Sequence, residues 1–355
     1  MPTFPENMEL LRNSGDPDLS AHGLMLLAMV DEPEVLYHYT DAGGFAAIVQ
    51  QGMLRATDVR FLNDPLELRY AWEALLAALE TAKAEKPEYS EAYDAALQAI
   101  SMTNAVDPDA IDDRIFSTSF SADGDELGQW RSYADDAKGM ALGFDKESVT
   151  MLKVPYFHHT EHGQLVQMKA TVSDTNKQVP LTWGAFTQPV GYGDEARQRA
   201  IDAVLYQIER SCEKNGEGLL ANRLFNIINR IPVFLSMLAL VKKTTYQSER
   251  EWRFTIAEHF GSSSLAIKKA LSSVEEFKWS AQGALETVDV KFRPGGRAGL
   301  KPYTEVPFKK SALVRVGIGP NIESRELALS TARRLLDRHG FRHTEVVASE
   351  HAYRV

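Results

Sequence analysis

The sequence predicts an α+β fold, and three observations indicate this class. Predicted strands and helices are mixed along the chain without the regular alternation that a doubly wound parallel sheet requires. Turn-forming stretches such as GSSS and RPGG separate several of the predicted strands. No internal repeat or long linker interrupts the 355 residues, so one domain is the simplest division of the chain.

The first predicted elements follow a polar lead-in over residues 1–34. LYHYT at residues 36–40 is rich in aromatic residues, which is typical of a strand. The stretch that follows it predicts a helix over residues 43–51.

FLNDPLEL predicts the start of a long helix. Asp64 is a suitable N-cap, Pro65 suits the first helical position, and Glu67 completes a capping-box spacing. Another helix is predicted over residues 88–104.

Two strands and a short helix are predicted next. RIFSTSFS and GMALGFD have the composition of strands, and DELGQWRSYADD between them predicts a short helix. Residues 150–195 are rich in glycine, proline, histidine and threonine, which predicts an irregular region with short strands such as GQLVQMKATV.

The remainder of the chain predicts a helical segment followed by more strands. Helical patterns dominate about residues 195–241, which we interpret as an insertion into a single domain of residues 35–355. EWRFTIAE, LETVDVKF and ALVRVGIG predict strands. ESRELALSTARRLLDRHG predicts a helix ended by Gly340, and FRHTEVVA predicts a last strand.

Composition and charge exclude several classes of protein. The formal net charge of −10 argues against a general electrostatic grip on nucleic acid or an anionic membrane, but a local basic groove is compatible with it. The single cysteine, Cys212, excludes an intrachain disulfide framework. The N-terminus lacks a secretory pattern, and the most apolar stretch, residues 231–241, is too short to span a bilayer. We expect a cytoplasmic protein with no membrane partner.

SEREWRF at residues 248–254 contains two carboxylates, Glu249 and Glu251. Residues two apart in a strand point to the same face, so the sequence predicts that these side chains stand side by side. Like charges repel and burial costs solvation, so the pair indicates either a functional cleft or an exposed strand edge. At such an edge, the charges of Lys242, Lys243 or Arg253 would balance the pair.

Two further motifs accompany this pair. LYHYT places His38 on one predicted strand, and FSTSFS places Ser117, Thr118 and Ser119 on another. In this order, the histidine, S-T-S and E-x-E resemble the motif set of the ADP-ribosyltransferase superfamily. The resemblance implies a split mixed β-sheet core with surrounding helices, and NAD as the co-substrate.

A wider set of motifs is similar to a family of bacterial domains of unknown function. The motifs are YHYT, FLNDPLEL, STSFS, WRSYAD with GMALGF, KKTTYQSEREWRF and GIGPN. They extend from about residue 36 to residue 321, which is most of the chain. This family in turn resembles the ADP-ribosyltransferase superfamily through the three short motifs described above.

The resemblance implies a role for each central residue. Glu251 would stabilise the oxocarbenium-like centre that forms when the nicotinamide–ribose bond breaks, and would hydrogen-bond the ribose 2′-hydroxyl. Glu249 would orient or deprotonate the incoming nucleophile. His38 would hydrogen-bond a ribose hydroxyl, and Ser117 and Ser119 would brace Glu251 or the nicotinamide amide.

Six more residues complete the implied NAD site. They are Tyr39, Thr40, Asn63, Trp130, Arg131 and Tyr133. The three aromatic residues are suited to stacking on nicotinamide or adenine, and equally to core packing. Arg131 is suited to a phosphate contact. The helix N-terminus near Asp64 offers a second phosphate position, although its capping residues do not require one.

No metal site is predicted. His158 and His162 have the spacing of two zinc ligands on one helix face, but Pro155 and Gly163 predict a loop there. GIGPN lacks both the lysine and the glycine spacing of a phosphate-binding loop, which favours a plain turn.

The resemblance therefore implies an ADP-ribosyltransferase that consumes NAD. YHYT and its helix are similar to those of nucleic-acid-modifying members of the superfamily, which favours a DNA or RNA acceptor over protein, although the net charge argues against it. The implied role is a toxin or phage-defence effector, with an antitoxin or regulatory protein as a partner. The alternatives are a catalytically silent nucleotide- or partner-binding module of the same fold and an NAD glycohydrolase.

Overall fold

The structure is a computed structural model that describes most of the chain. The described residues are 33–62, 67–102, 114–155, 157–159, 164–172, 177–180, 182–214, 231–257, 285–286, 288–295 and 299–351. The lead-in up to residue 32, the predicted capping residues Asp64 and Pro65, and the candidate site residue Asn63 lie outside them.

Helices and strands follow one another in a mixed order. The helices are α1 (Ala42–Gln51), α2 (Glu67–Glu85), α3 (Ser90–Met102), α4 (Leu127–Tyr133), α5 (Lys146–Thr150), α6 (Gly193–Lys214), α7 (Ile231–Leu238) and α8 (Arg325–Arg338). The strands are β1 (Val35–Thr40), β2 (Met53–Asp58), β3 (Ile115–Ser121), β4 (Met140–Asp145), β5 (Met151–Pro155), β6 (Phe157–His159), β7 (Leu165–Gln167), β8 (Lys169–Val172), β9 (Lys177–Pro180), β10 (Thr182–Pro189), β11 (Gly191–Tyr192), β12 (Val241–Lys242), β13 (Glu251–Ala257), β14 (Leu285–Glu286), β15 (Lys291–Pro294), β16 (Leu300–Pro307), β17 (Leu313–Ile318) and β18 (Glu345–Ala348).

Within the described residues, an 11-stranded sheet forms the centre of the fold. Its main path runs β15-β16-β2-β3-β1-β4-β17-β18, and β13, β10 and β5 join it through β3. The β17–β18 pair is parallel and the other pairs are antiparallel. The predicted combination of a mixed sheet with several helices is thus confirmed.

β3 is the strand on which the sheet divides. One edge of β3 pairs with β13 along seven residues, from Ser121↔Glu251 to Ile115↔Ala257. The other edge pairs with β2 through Ser117 and with β1 only through Ser121. Among the described residues, no strand pairs with residues 118–120 on that edge. On this open edge the Ser119 carbonyl contacts a side chain, that of His38.

α1 carries the chain from β1 to β2 across this division. A side-chain oxygen of Asp41 accepts a hydrogen bond from the Gly44 N–H at 2.6 Å, which caps the first turn. Gly52 has a φ of +68°, a left-handed conformation that suits glycine, and its N–H donates to the Ile48 carbonyl at 2.8 Å. This sharp end returns the chain directly into β2.

Two large apolar cores and one small apolar cluster form among the described residues. α2, α3, α6 and α7 pack on one another around a core that includes Trp72, Tyr93 and Phe234. Phe144 and Phe254 belong to a second core, between the sheet and the helices α1 and α8. α6 and α7 occupy the region in which the sequence predicts a helical insertion.

Among the residues that the structure describes, no helix combines the length and the apolar composition that a membrane span requires.

Most predicted elements near the division are confirmed, including β1, β3, β4, β13, α1 and α4. The predicted helix end at Gly340 is also confirmed, since this residue has a φ of +86° directly after α8. The structure differs over residues 150–195, which contain the eight-residue strand β10. β10 pairs with both β5 and β13, and these distant partners are not visible in its local composition.

Candidate functional site

A cavity of about 430 Å³ lies beside the division of the sheet. Residues from all three sequence motifs line it: His38 from β1, Ser117 and Ser119 from β3, Glu251 at the start of β13, and Glu249 two residues before that strand. The structure therefore brings the predicted central residues to one cavity, although they come from distant parts of the chain.

His38 spans the unpaired edge of β3. Its Nδ1 lies 2.9 Å from the backbone carbonyl oxygen of Ser119. A carbonyl oxygen only accepts hydrogen bonds, so Nδ1 carries the proton. Burial lowers the pKa of His38 from its ordinary value, in spite of this hydrogen bond. The ring is therefore neutral at pH 7, and Nε2 is an acceptor.

Glu251 is a buried carboxylate with two cationic partners. Arg253 contacts it through Nε at 2.7 Å and Nη2 at 3.0 Å, and the Lys242 ammonium lies 2.6 Å from Oε2. Burial raises the pKa of Glu251, but the charges of Arg253 and Lys242 outweigh burial and lower the pKa to about 2. Glu251 is ionised at neutral pH.

Glu249 reaches the same place from a different backbone element. It ends a 3-10 helix over Thr244–Glu249, and Arg250 then adopts a left-handed conformation with a φ of +44° before β13 begins. The prediction that both glutamates stand on one strand is therefore wrong, because the turn at Arg250 separates them. Lys242 nevertheless holds them together, with its Nζ 2.6 Å from Oε2 of Glu249 and 2.6 Å from Oε2 of Glu251.

The structure agrees in part with each interpretation of the glutamate pair, the exposed strand edge and the functional cleft. Lys242 and Arg253 do balance the charges, as the edge interpretation expects. However, β13 lies between β3 and β10 rather than at an edge, and Glu251 is only 5% exposed. The charged cluster is therefore internal to the fold and borders the cavity.

The serines of β3 differ in their surroundings. Ser117 is 2% exposed, and among the described residues its Oγ has no hydrogen-bond partner. The residue directly opposite Glu251 is Ser121, whose Oγ donates to the backbone carbonyl of Glu249 at 2.9 Å. Ser121 thus joins β3 to the glutamate turn, a role the sequence analysis missed. The two-residue spacing of FSTSFS was the signal for it.

The aromatic candidates divide into two groups. Tyr133 lines the cavity, and its hydroxyl donates to Oε1 of Glu249 at 3.0 Å. Tyr39 also borders the cavity, but its hydroxyl donates to the Asp123 carbonyl at 2.9 Å and its ring packs edge-on against Trp130. Trp130 is fully buried in this small apolar cluster and does not line the cavity.

The last two candidates, Thr40 and Arg131, differ in whether they line the cavity. Thr40, at the end of β1, lines the cavity. Arg131 does not line it, and 63% of its side chain is exposed. In the sequence, Arg131 was a candidate because it lies off the helix face that carries Trp130 and Tyr133. In the structure that face packs against the protein interior, and Arg131 points to solvent.

Sequence reasoning also missed the cationic side of the cavity. Arg55 on β2, Arg293 on β15 and Lys301 on β16 also line it. We call these three residues the cationic wall. Their signal in the sequence is weak, because basic residues on polar strands are usually solvated.

No metal centre is visible among the residues that the structure describes, since no three His, Cys, Asp or Glu side chains there are grouped to hold an ion. His158 belongs to the strand β6 rather than to the predicted loop, and His162 lies outside the described residues.

Comparison with known proteins gives one match. A family model described as "Protein of unknown function (DUF2971)" matches residues 129–254, a segment that contains Tyr133, Lys242, Glu249, Glu251 and Arg253. No curated protein matches the chain significantly. No solved structure does so either. The chain thus contains a segment similar to a family whose function is not known.

Proposed function

We propose that this protein is an NAD-dependent ADP-ribosyltransferase. The observation that carries the proposal is the convergence of His38, Ser117, Ser119, Glu249 and Glu251 on one cavity. Its volume of about 430 Å³ lies within the range of small-molecule sites. We further propose a macromolecular acceptor, with nucleic acid favoured over protein, and a role as a toxin or phage-defence effector under the control of an antitoxin or regulatory protein.

The ionised carboxylate of Glu251 supports this chemistry. In the reaction, the bond between nicotinamide and C1 of the ribose breaks, and its electron pair leaves with nicotinamide. Positive charge develops on the ribose, and a nearby carboxylate lowers the energy of that state. Because the pKa of Glu251 is lowered to about 2, its charge is present at every physiological pH.

Glu249 and His38 supply the remaining steps. A lone pair of the acceptor forms the new bond to C1, and the acceptor loses a proton to the carboxylate of Glu249. The free Nε2 of His38 accepts a hydrogen bond from a ribose hydroxyl, which orients the sugar. Lys242 keeps the two carboxylates adjacent by contacting both at 2.6 Å.

The cationic wall bears on the charge of the ligands that the cavity can bind. The net charge of −10 disfavours nucleic acid in general, but Arg55, Arg293 and Lys301 make the cavity itself locally basic. This local positive charge favours an anionic substrate, in spite of the negative charge of the whole chain.

Labelled NAD tests the proposal directly. Purified protein is incubated with NAD carrying a label on the adenylate, together with DNA, RNA, cell lysate or buffer alone. We expect label transfer to one macromolecule, and loss of transfer in Glu251→Gln. The matched control is Glu345→Gln, which removes an exposed carboxylate that contacts Arg315 at the surface. Absence of both transfer and nicotinamide release, or full activity in Glu251→Gln, would overturn the proposal.

One observation favours a second candidate, a catalytically silent module that binds a nucleotide or a partner protein. Both oxygens of Glu251 already contact Arg253 or Lys242, which reduces the negative charge that a reacting ribose would meet. A silent module would bind NAD without releasing nicotinamide, and its expression phenotype would persist in Glu251→Ala. An NAD glycohydrolase would release nicotinamide without labelling any acceptor.

A further inference from the structure

We infer that the cationic wall is a binding site for the diphosphate group of a nucleotide. The wall consists of Arg55, Arg293 and Lys301, which line the cavity together with His38 and Glu251. The inference deepens the proposed function and rests on it for the choice of a nucleotide as ligand. The anion site itself is argued from the charges and contacts of the wall.

Strand pairing brings the three cations to one face of the sheet. Arg293 on β15 is the direct cross-strand partner of Lys301 on β16. Tyr303, two residues further along β16, pairs with Thr57 of β2, and Arg55 precedes Thr57 by two residues. Residues two apart in a strand share a face, so all three cations stand on the same side as Tyr303.

Tyr303 holds the two arginines close to each other. The guanidinium carbon of Arg55 lies 5.2 Å from the centroid of the Tyr303 ring, and that of Arg293 lies 5.9 Å from it. Arg293 also donates from Nη2 to the hydroxyl of Thr57 at 3.1 Å. The two like charges are therefore fixed near one ring, where they repel each other unless an anion lies between them.

Within the described part of the chain, the wall has no compensating carboxylate of its own. Among the described residues, no carboxylate oxygen lies within ion-pair distance of Arg55, Arg293 or Lys301. The neighbouring Lys291, in contrast, contacts Glu305 at 2.6 Å. Asp41 also borders the cavity and attracts Arg293, but its side chain caps α1. The positive charge of the wall is therefore in excess.

Two buried polar groups, one in the wall and one next to it, also lack hydrogen-bond partners within the described part of the chain. They are Nε of Arg293 and Oγ of Ser117. Ser117 is 2% exposed and lies directly opposite Thr57, so its hydroxyl is next to the wall. Leaving a buried donor unpaired is unfavourable, and a ligand oxygen would satisfy it. Burial and the neighbouring Arg55 lower the pKa of Arg293, as expected for a guanidinium without an anion.

A diphosphate matches these groups in charge and geometry. Guanidinium groups bind phosphate oxygens through two parallel hydrogen bonds, and a lysine adds a third cation. The cavity of about 430 Å³ suits a small molecule better than a polymer. With its diphosphate at the wall, a nucleotide has the rest of its length directed towards His38 and the two glutamates, which line the same cavity.

Calorimetric titration of the full chain tests the inference, with ADP, inorganic pyrophosphate and adenosine as probes. We expect ADP and pyrophosphate to bind and adenosine to bind at least tenfold more weakly than ADP. Arg293→Gln and Arg55→Gln should each weaken ADP at least tenfold, and Arg293→Lys should weaken it less. Arg315→Gln is the matched control, since it removes a strand cation that does not line the cavity and that already contacts Glu345 at 2.8 Å, and it should leave ADP affinity unchanged.

Other outcomes separate the anion site from the proposed reaction. Thermal unfolding of each variant shows whether it is folded, and Lys301→Gln replaces any arginine variant that is not. Equal affinity of ADP for wild type, Arg55→Gln and Arg293→Gln overturns the inference. So does binding of a single-stranded oligonucleotide where ADP and pyrophosphate do not bind. If ADP binding depends on the wall while NAD is not consumed, the anion site stands and the transferase proposal falls.

Discussion

The guanidinium of Arg253 contacts both carboxylate oxygens of Glu251, at 2.7 and 3.0 Å, in the interior of the protein. Arg253 is 2% exposed and also donates to the Ala239 carbonyl at 2.6 Å, so each of its contacts is shielded from water. An ion pair in such surroundings is strongly coupled to the fold, because removing one partner leaves a buried charge without its counterpart.

Arg253→Met is therefore expected to lower the free energy of unfolding by about 3 kcal/mol, as is typical when one partner of a buried pair is removed. The measurement is urea denaturation at pH 7. Arg315→Met is the control, because Arg315 contacts Glu345 at 2.8 Å with about half of each side chain exposed. Its loss should cost less than about 1 kcal/mol. Equal losses in the two variants would contradict the burial argument.

Lys242→Met is expected to give a stability deficit that depends on pH. Without the ammonium, Glu249 and Glu251 lose the cation that they share and repel each other, so uptake of a proton by the pair becomes favourable. The variant then gains stability on protonation as the pH falls.

In wild type, the opposite change occurs, because the pKa of Glu251 is lowered to about 2 from 4.5. The stabilisation from this group is complete above pH 4.5 and is lost as the pH falls towards 2. The deficit of Lys242→Met relative to wild type should therefore be largest at neutral pH and narrow on acidification, as measured by denaturation at a series of pH values. A deficit that is constant with pH would argue against charge as its cause.

The neutral ring of His38 can be observed by nuclear magnetic resonance. We expect one tautomer with the proton on Nδ1, and a pKa below the ordinary 6.5, because burial disfavours the charged form. The chain has nine histidines, so the His38 signals are assigned by their loss in His38→Ala. A doubly protonated ring at pH 6.5, or a proton on Nε2, would show that the contact with Ser119 is not the one described.

Two glycines of the GIGPN segment should respond differently to alanine. A Cβ on Gly319 would lie 2.3 Å from the backbone oxygen of Ala137 and 2.9 Å from that of Gly139, and neither is a flexible side chain. A Cβ on Gly317 would meet its nearest atoms at 3.5 Å, an ordinary contact distance. Gly319→Ala should therefore lower the unfolding free energy by about 1–3 kcal/mol.

Gly317→Ala is the matched control two residues away, and it should be close to neutral in the same thermal or urea denaturation experiment. If both variants are equally stable, the backbone of residues 137–139 can move away to accommodate a Cβ at Gly319, which would contradict the prediction. A loss of stability in Gly319→Ala alone would show that this segment is a turn in which Gly319 packs closely against the backbone of residues 137–139.

The strands that carry the site could be predicted from the sequence because each has a local signal. LYHYT and FSTSFS are rich in aromatic, small and β-branched residues, and EWRFTIAE follows a polar stretch abruptly. The spacing of Ser117 and Ser119 correctly places them on one strand, beside the cavity.

The local sequence does not reveal what depends on distant pairing or on a single backbone dihedral. Arg250 adopts a left-handed conformation that few non-glycine residues take, and this takes Glu249 out of the strand. Arg293 reaches the cavity only because β15 and β16 pair with β2, which lies far earlier in the chain. The helix of Trp130 was predictable, but the burial of its indole follows from the packing of Tyr39 against it.

The pairing of β3 with β13 bears on how the family segment should be delimited. The family segment, residues 129–254, ends within β13 and contains Lys242, Glu249 and Glu251, but β3 and β1 lie before it, and β15 and β16 lie after it. β13 nevertheless pairs along its full length with β3. The boundaries of the shared segment are thus not the boundaries of a folding unit. A relative that has only this segment in common with the chain shares the cluster of Lys242, Glu249 and Glu251, but not the strands that complete the cavity around it.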